Sequence, residues 1–91
     1  SPKELLAASL ASCTGITLRM YANRKGWDLT DIKVEITFDT DSVDNKFKII
    51  RNIILSGSLD DSQKARLLNI ADKCPIHKII TNPIEITTEL N

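Results

Sequence analysis

SPKELLAASLASCTGITLRMYANRKGW, residues 1–27, is the stretch on which the fold turns. Ser1 as N-cap, Pro2 at the first helical position and Glu4 at the third make a capping-box pattern, so a helix starts at once. Its interior carries Leu5, Leu6, Leu10, Ile16 and Leu18, with Ala7, Ala8, Ala11, Ser12 and Gly15 between them. So many small residues let another backbone come close. Arg24 and Lys25 place positive charge at the far end, and Gly26 is the stop signal. Leu5 to Leu18 is uncharged over fourteen residues, short of the roughly 20 that span a bilayer. The stretch therefore predicts a buried helix.

Downstream, DIKVEITFD alternates cleanly, with Ile32, Val34, Ile36 and Phe38 on one face and Lys33, Glu35 and Thr37 on the other: a half-buried strand. TDSVDN reads as its turn. KFKIIRNIILSG is a second strand with Phe47, Ile49, Ile53 and Leu55 on one face and Arg51 among them, and the two predict an antiparallel hairpin. In LDDSQKARLLNIADK, Asp60 caps a helix with Gln63, and Lys64, Leu67, Leu68 and Ala71 follow helical spacing. Pro75 breaks it and opens a short helix with Cys74 at its N-cap, which Pro83 ends. IEITTEL alternates again, Ile84, Ile86 and Leu90 against Glu85, Thr87 and Glu89, as a final strand.

The predicted order is helix, strand, strand, helix, short helix, strand, an α+β class without repeats or low-complexity segments. Three strands make a thin sheet for a first helix that is apolar nearly all round. Missing strands, a partner chain or both are expected. The chain starts at Ser1 and is almost immediately helical, which suggests a piece of something longer or a processed product.

The bulk composition narrows the function. At 91 residues and 42% hydrophobic content the chain makes one domain, burying roughly 60 to 65% of its unfolded surface. Twelve basic and twelve acidic residues give zero formal net charge, which argues against a sequence-wide grip on nucleic acid or anionic lipid. Two cysteines are too few for a disulfide scaffold and no signal-peptide order opens the chain, so the expected compartment is the reducing cytoplasm.

Cys74 stands just before a proline-started helix, with His77 and Lys78 close behind, conditions that favour a thiolate. Cysteine is also among the most buried residue types, and filling space at a helix junction is an equal reading. Cys74 and His77 have C-x-x-H spacing, yet zinc would need Cys13 and a carboxylate to complete a set, and no second histidine or paired cysteine motif exists. Neither metal nor cofactor is expected. Cys13 lies inside the apolar helix, where burial raises a thiol pKa and core packing accounts for it; with Cys74 it could instead form a reversible dithiol relay. Arg51 either lowers a nearby thiol's pKa from within, pairs with an acid such as Glu4, or reaches round the sheet edge into water. Trp27 is expected to staple the first helix to the core.

SPKELLAASLASCTGITLRMYA followed by ADKCPIHK and a terminal IEITTEL resembles the OsmC/Ohr family of thiol-dependent peroxidases, over nearly the whole chain. Its most specific parts are the P-x-E-L-L start, the cysteine in a small-residue helix and the C-P-x-H-K segment, in that order. The resemblance implies an intertwined homodimer, a long central helix from each subunit packed on antiparallel sheet, and active sites at the subunit interface. It also implies roles. Cys13 attacks the terminal oxygen of an organic hydroperoxide, giving a sulfenic acid and an alcohol, and Cys74 condenses with it to a disulfide that a dithiol such as a lipoyl group reduces. This inverts the local reading, in which Cys74 is the better thiolate. In the family an arginine from an N-terminal β region activates the attacking cysteine, a region that would precede this first helix. Peroxidase members carry a glutamate ten residues before that cysteine; here Lys3 stands there and its neighbour Glu4 is the candidate carboxylate.

The reading that follows is a cytoplasmic, dimeric hydroperoxide reductase of oxidative-stress defence, one OsmC-like domain over residues 1–91 without its N-terminal strands. Its candidate site is Cys13, Cys74 and Glu4. Against it stand a non-catalytic dimerising or small-molecule-binding member of the family, and a dithiol redox sensor.

Overall fold

In the computed structural model, which describes residues 1–39 and 47–91, helix α1 runs over Pro2–Lys25. The Glu4 N–H donates to the Ser1 hydroxyl at 3.3 Å, and the Ser1 amino group donates to Glu4 Oε2 at 3.2 Å. At the other end Gly26 adopts a left-handed conformation, φ 71°, and its N–H closes on the carbonyls of Ala22 and Asn23. A side chain would strain that turn.

Strands β1 (Asp28–Asp39) and β2 (Lys48–Ser58) pair antiparallel, with Ile32 opposite Leu55, Val34 opposite Ile53, Ile36 opposite Arg51 and Phe38 opposite Ile49. Their alternation matches the expected faces: Ile49, Arg51, Ile53 and Leu55 are half-buried while Ile50, Asn52 and Ile54 are exposed. The predicted TDSVDN turn lies outside the described residues. Near the hairpin's open end the register shifts between Leu29 and Asp31. There Gly57 has φ 130°, and a Cβ on it would run into the Asp28 carbonyl. Only glycine fits that bulge.

Helix α2 spans Asp61–Ala71, and its capping box is formed as predicted, Asp60 accepting the Gln63 N–H at 2.7 Å and Gln63 Oε1 the Asp60 N–H at 2.9 Å. Helix α3 is the short Pro75–Ile80 with Cys74 as N-cap. The core joins α1, β1 and α2 through Leu18, Tyr21, Ala22, Leu29, Leu67, Ile70 and Ala71. Trp27 packs on this cluster with its ring edge-on to Tyr21, 5.5 Å between centroids, the staple the sequence suggested.

Two expectations are corrected. The first is that Leu5 to Leu18 is buried as a whole. Only the stripe Leu10, Thr14, Leu18, Tyr21 and Ala22 is covered, because a two-stranded sheet and two short helices have area for one side of α1. Leu5 stays 72% exposed and Met20 68%. By length and composition α1 could cross a membrane, but its covered stripe is seated on β1, α2 and α3. The second is the final strand. IEITTEL forms no strand, and Ile84, Ile86 and Leu90 lie exposed. Alternation makes a segment competent for a sheet, but its backbone needs a neighbouring ladder, and none is offered among the described residues.

Candidate functional site

The covered stripe of α1 leaves Cys13 at its border, half-buried, one residue before the wholly buried Thr14. α3 packs on α1, with Pro75 and Ile76 beside Cys13. The turn after α2 brings Cys74 there, its N–H bonded to the Ala71 carbonyl at 3.2 Å and its carbonyl accepting the Lys78 N–H at 3.1 Å. Cys74 is completely buried. Both thiols are free, and each bears on the ionisation of the other.

The two sulfurs differ in setting. Burial pushes the Cys13 thiol up, and the hydrogen bond and negative charge of Cys74 add to it, outweighing the Ile76 N–H and the Thr17 hydroxyl, which act the other way. For Cys74, burial also works upward, but the bond from Cys13, the N–H groups of His77 and Ile76 and the Thr14 hydroxyl outweigh it and hold the thiol below its usual value. No side-chain cap bond forms at Cys74.

Cys13 lines a groove of about 360 Å³ with Ser12, Ile16, Met20, Pro75 and Ile76. Cys74 is not on its wall. A solute that enters the groove meets Cys13 first.

Behind the thiols lies a polar network that the sequence reading did not assemble. Arg51, whose side chain is only 13% exposed, donates from Nη1 to the Thr14 hydroxyl at 3.2 Å and the Ala71 carbonyl at 3.3 Å, and from Nη2 to Asp72 Oδ1 at 2.9 Å. The acid that pairs with Arg51 is therefore Asp72, not Glu4. The Thr14 hydroxyl, accepting from Arg51, donates its own proton to the Leu10 carbonyl at 2.7 Å. The missed signal is Thr14 itself, a polar residue between Leu10 and Leu18 on a stripe of spacing four.

Glu4 is not part of this cluster. It is held in the α1 cap, its side chain 83% exposed, and nine residues of helix separate it from Cys13, about 13 Å along the axis. His77 turns its Nε2 to Asp72 Oδ1 at 3.6 Å, away from the C-x-x-H pairing with Cys74. Among the described residues no group of three or more His, Cys, Asp or Glu stands together as a metal site.

The family model described as OsmC-like protein matches residues 1–89. No curated protein matches the sequence. Two solved structures are similar to the chain at 28% identity over 86% of its length. One is a candidate osmotic stress induced and detoxification response protein of Psychrobacter arcticus 273-4, at a TM-score of 0.69. The other is the organic hydroperoxide resistance protein OhrB of Bacillus subtilis, at 0.61. The chain spans 58% and 60% of those two proteins.

Proposed function

Because this chain belongs to the OsmC-like protein family, we propose that it reduces organic hydroperoxides with its two cysteines, in defence against oxidative stress. The observation that carries the reading is a pair of free thiols that bear on each other's ionisation, one on a groove wall and the other wholly buried. OhrB, a structural neighbour, is an organic hydroperoxide resistance protein by description, and the reading extends that chemistry to this chain.

In the reaction the Cys13 sulfur, as thiolate, attacks the terminal oxygen of ROOH. The O–O bond breaks, Cys13 becomes a sulfenic acid, and RO⁻ leaves to take up a proton as the alcohol. The Cys74 sulfur then attacks the Cys13 sulfur, forming a disulfide and displacing hydroxide, which is protonated to water. An external dithiol, for which a lipoyl group has the right chemistry, returns both thiols by exchange. The apolar groove residues Ile16, Met20 and Ile76 suit an organic tail R. Glu4, exposed at its cap, is available to hold a cation brought by another segment or subunit.

The test is stoichiometric. One equivalent of cumene hydroperoxide added to the reduced chain should consume both free thiols, lower the mass by two hydrogens and place the bridge between Cys13 and Cys74 in a peptide map. Catalytic consumption should follow when a dithiol is present. Folded chain that keeps both thiols would refute the peroxidase reading and favour the non-catalytic, dimerising or small-molecule-binding one, to which the position of Glu4 away from the thiols lends support.

The same reading makes residues 1–91 one OsmC-like domain, acting in the cytoplasm as a homodimer. The uncovered face of α1, with Leu5, Leu6, Ile16 and Met20, is the support for the dimer. Sedimentation should give a dimer's mass, and a clean monomer at working concentration would end that part of the reading.

A further inference from the structure

A second groove, of about 440 Å³, lies between α1 and α2, a volume in the range of small-molecule sites. α1 lends it Thr17, Met20, Tyr21 and Arg24, which share one face of that helix. α2 and the turn after it lend Arg66, Ile70 and Lys73. The floor is covered and largely apolar, with Tyr21 8% and Ile70 7% exposed. The rim is cationic, since Arg24, Arg66 and Lys73 all reach solvent.

The chain as a whole has zero formal net charge, yet three cations line this groove and, among the described residues, no carboxylate does. None of the three enters an ion pair among the described residues. Asp72, next to Lys73 in the chain, faces Arg51 and His77 instead. Like charges gathered without a counter-charge repel one another. Arg24 in the last turn of α1 and Lys73 just past α2 offset the carbonyl ends of their helices. That reason fails for Arg66, which stands inside α2. Its Nε donates to the Tyr21 hydroxyl at 3.0 Å, and the guanidinium carbons of Arg24 and Arg66 lie 5.4 and 5.8 Å from the centre of the Tyr21 ring. The bond uses one of the five N–H donors of Arg66, and the Tyr21 hydroxyl, having accepted it, keeps its own proton to give.

We propose that this groove binds a small phosphate monoester, its phosphate held by Arg24, Arg66, Lys73 and the Tyr21 hydroxyl, its apolar body resting on Met20 and Ile70. The site does not depend on the thiol chemistry proposed above. A phosphate monoester carries a charge of about −1.5 to −2 at pH 7 and three strong acceptor oxygens, which answers three cations and a hydroxyl better than the single charge of a carboxylate. Guanidinium groups match phosphate oxygens in pairs. The apolar floor favours an ester over inorganic phosphate. Thr17 and Met20 are walls of the Cys13 groove as well, so the occupant lies beside that groove.

The test is calorimetric titration of the reduced chain with phenyl phosphate, inorganic phosphate and benzoate at neutral pH and an ionic strength of about 0.15 M. Saturable one-to-one binding of phenyl phosphate is expected, tighter than either comparator by about tenfold or more. Arg66→Gln and Lys73→Gln should each weaken it by about tenfold, the scale for losing a charged hydrogen bond. Lys33→Gln, on β1 and not on the groove, should leave it unchanged. Lys73 is exposed and in no ion pair, so its substitution reads binding and not folding. Tyr21, the chain's only tyrosine, gives a second readout. The Arg66 bond and the cations around the ring hold its hydroxyl below the ordinary tyrosine range, and bound phosphate should move its ultraviolet titration upward. Absence of saturable binding overturns the inference, and so does an equal loss in Lys33→Gln, the mark of diffuse charge. Inorganic phosphate bound as tightly as phenyl phosphate overturns the ester, and benzoate bound as tightly overturns the phosphate.

Discussion

Cys13→Ser is expected to lower hydroperoxide consumption by on the order of 1,000-fold or more, the scale on which loss of a covalent nucleophile registers. Cys13 is the sulfur on the groove wall, and Cys74 is sealed from solvent, so the second thiol cannot take over attack from where it stands. A serine hydroxyl in its place ionises far above neutral pH and cannot form the sulfenic acid that stores the two electrons. The substitution is nearly isosteric at a half-exposed position on α1, so the fold should persist. A circular dichroism spectrum matching that of the unsubstituted chain would separate lost chemistry from lost structure. The decisive assay is dithiol-dependent loss of cumene hydroperoxide, and full turnover by the folded variant would remove Cys13 from the attacking role.

Leu18→Ala is expected to destabilise the chain by about 2–5 kcal/mol, the range for deleting a buried leucine side chain. Leu18 is 0% exposed and shares its cluster with Leu67, Tyr21, Ala22 and Leu29, tying α1 to β1 and α2. The total stability of a small domain is about 5–15 kcal/mol, so one such cavity removes a large fraction of it. Because the core holds few large buried side chains, nothing stands ready to collapse into the gap. Urea unfolding followed by Trp27 fluorescence reports the change, Trp27 being the chain's only tryptophan and packed on that cluster. A loss of less than about 1 kcal/mol would mean that Leu18 is not where the three elements are joined.

The two experiments probe sides of α1 that differ in how far they could be read beforehand. The capping boxes at Ser1 and Asp60, the glycine stop at Gly26, the breaking proline at Pro75 and the faces of β1 and β2 were all legible. Each depends on residues within a turn or on alternate positions of one strand. The thiols were legible as candidates, and as a pair only as one alternative and through the family resemblance. Nothing in the spacing of Cys13 and Cys74 says that α3 packs on α1 beside Cys13. Arg51 was visible as an oddity on an apolar face, yet its partners Thr14, Ala71 and Asp72 belong to two other elements. Glu4 was legible in two capacities at once. The motif that made it a candidate carboxylate also made it a helix cap, and the cap is the contact the structure contains.

IEITTEL marks the boundary most clearly. Its alternation shows which residues would share a face in a sheet, but strand formation needs hydrogen bonds to another segment, and among the described residues it makes none. The sequence by itself determined where helices begin and end, which faces of the hairpin turn inward, and that α1 carries more apolar surface than this chain covers. Those are outcomes of local capping and periodic burial. Tertiary structure alone decided that each thiol bears on the other's ionisation, that Cys74 is buried while Cys13 lines a groove, and that Arg51 joins Thr14, Ala71 and Asp72. The reason is that ionisation and reactivity depend on atoms within a few ångströms in space, and at this site those atoms come from α1, β2, the α2–α3 turn and α3.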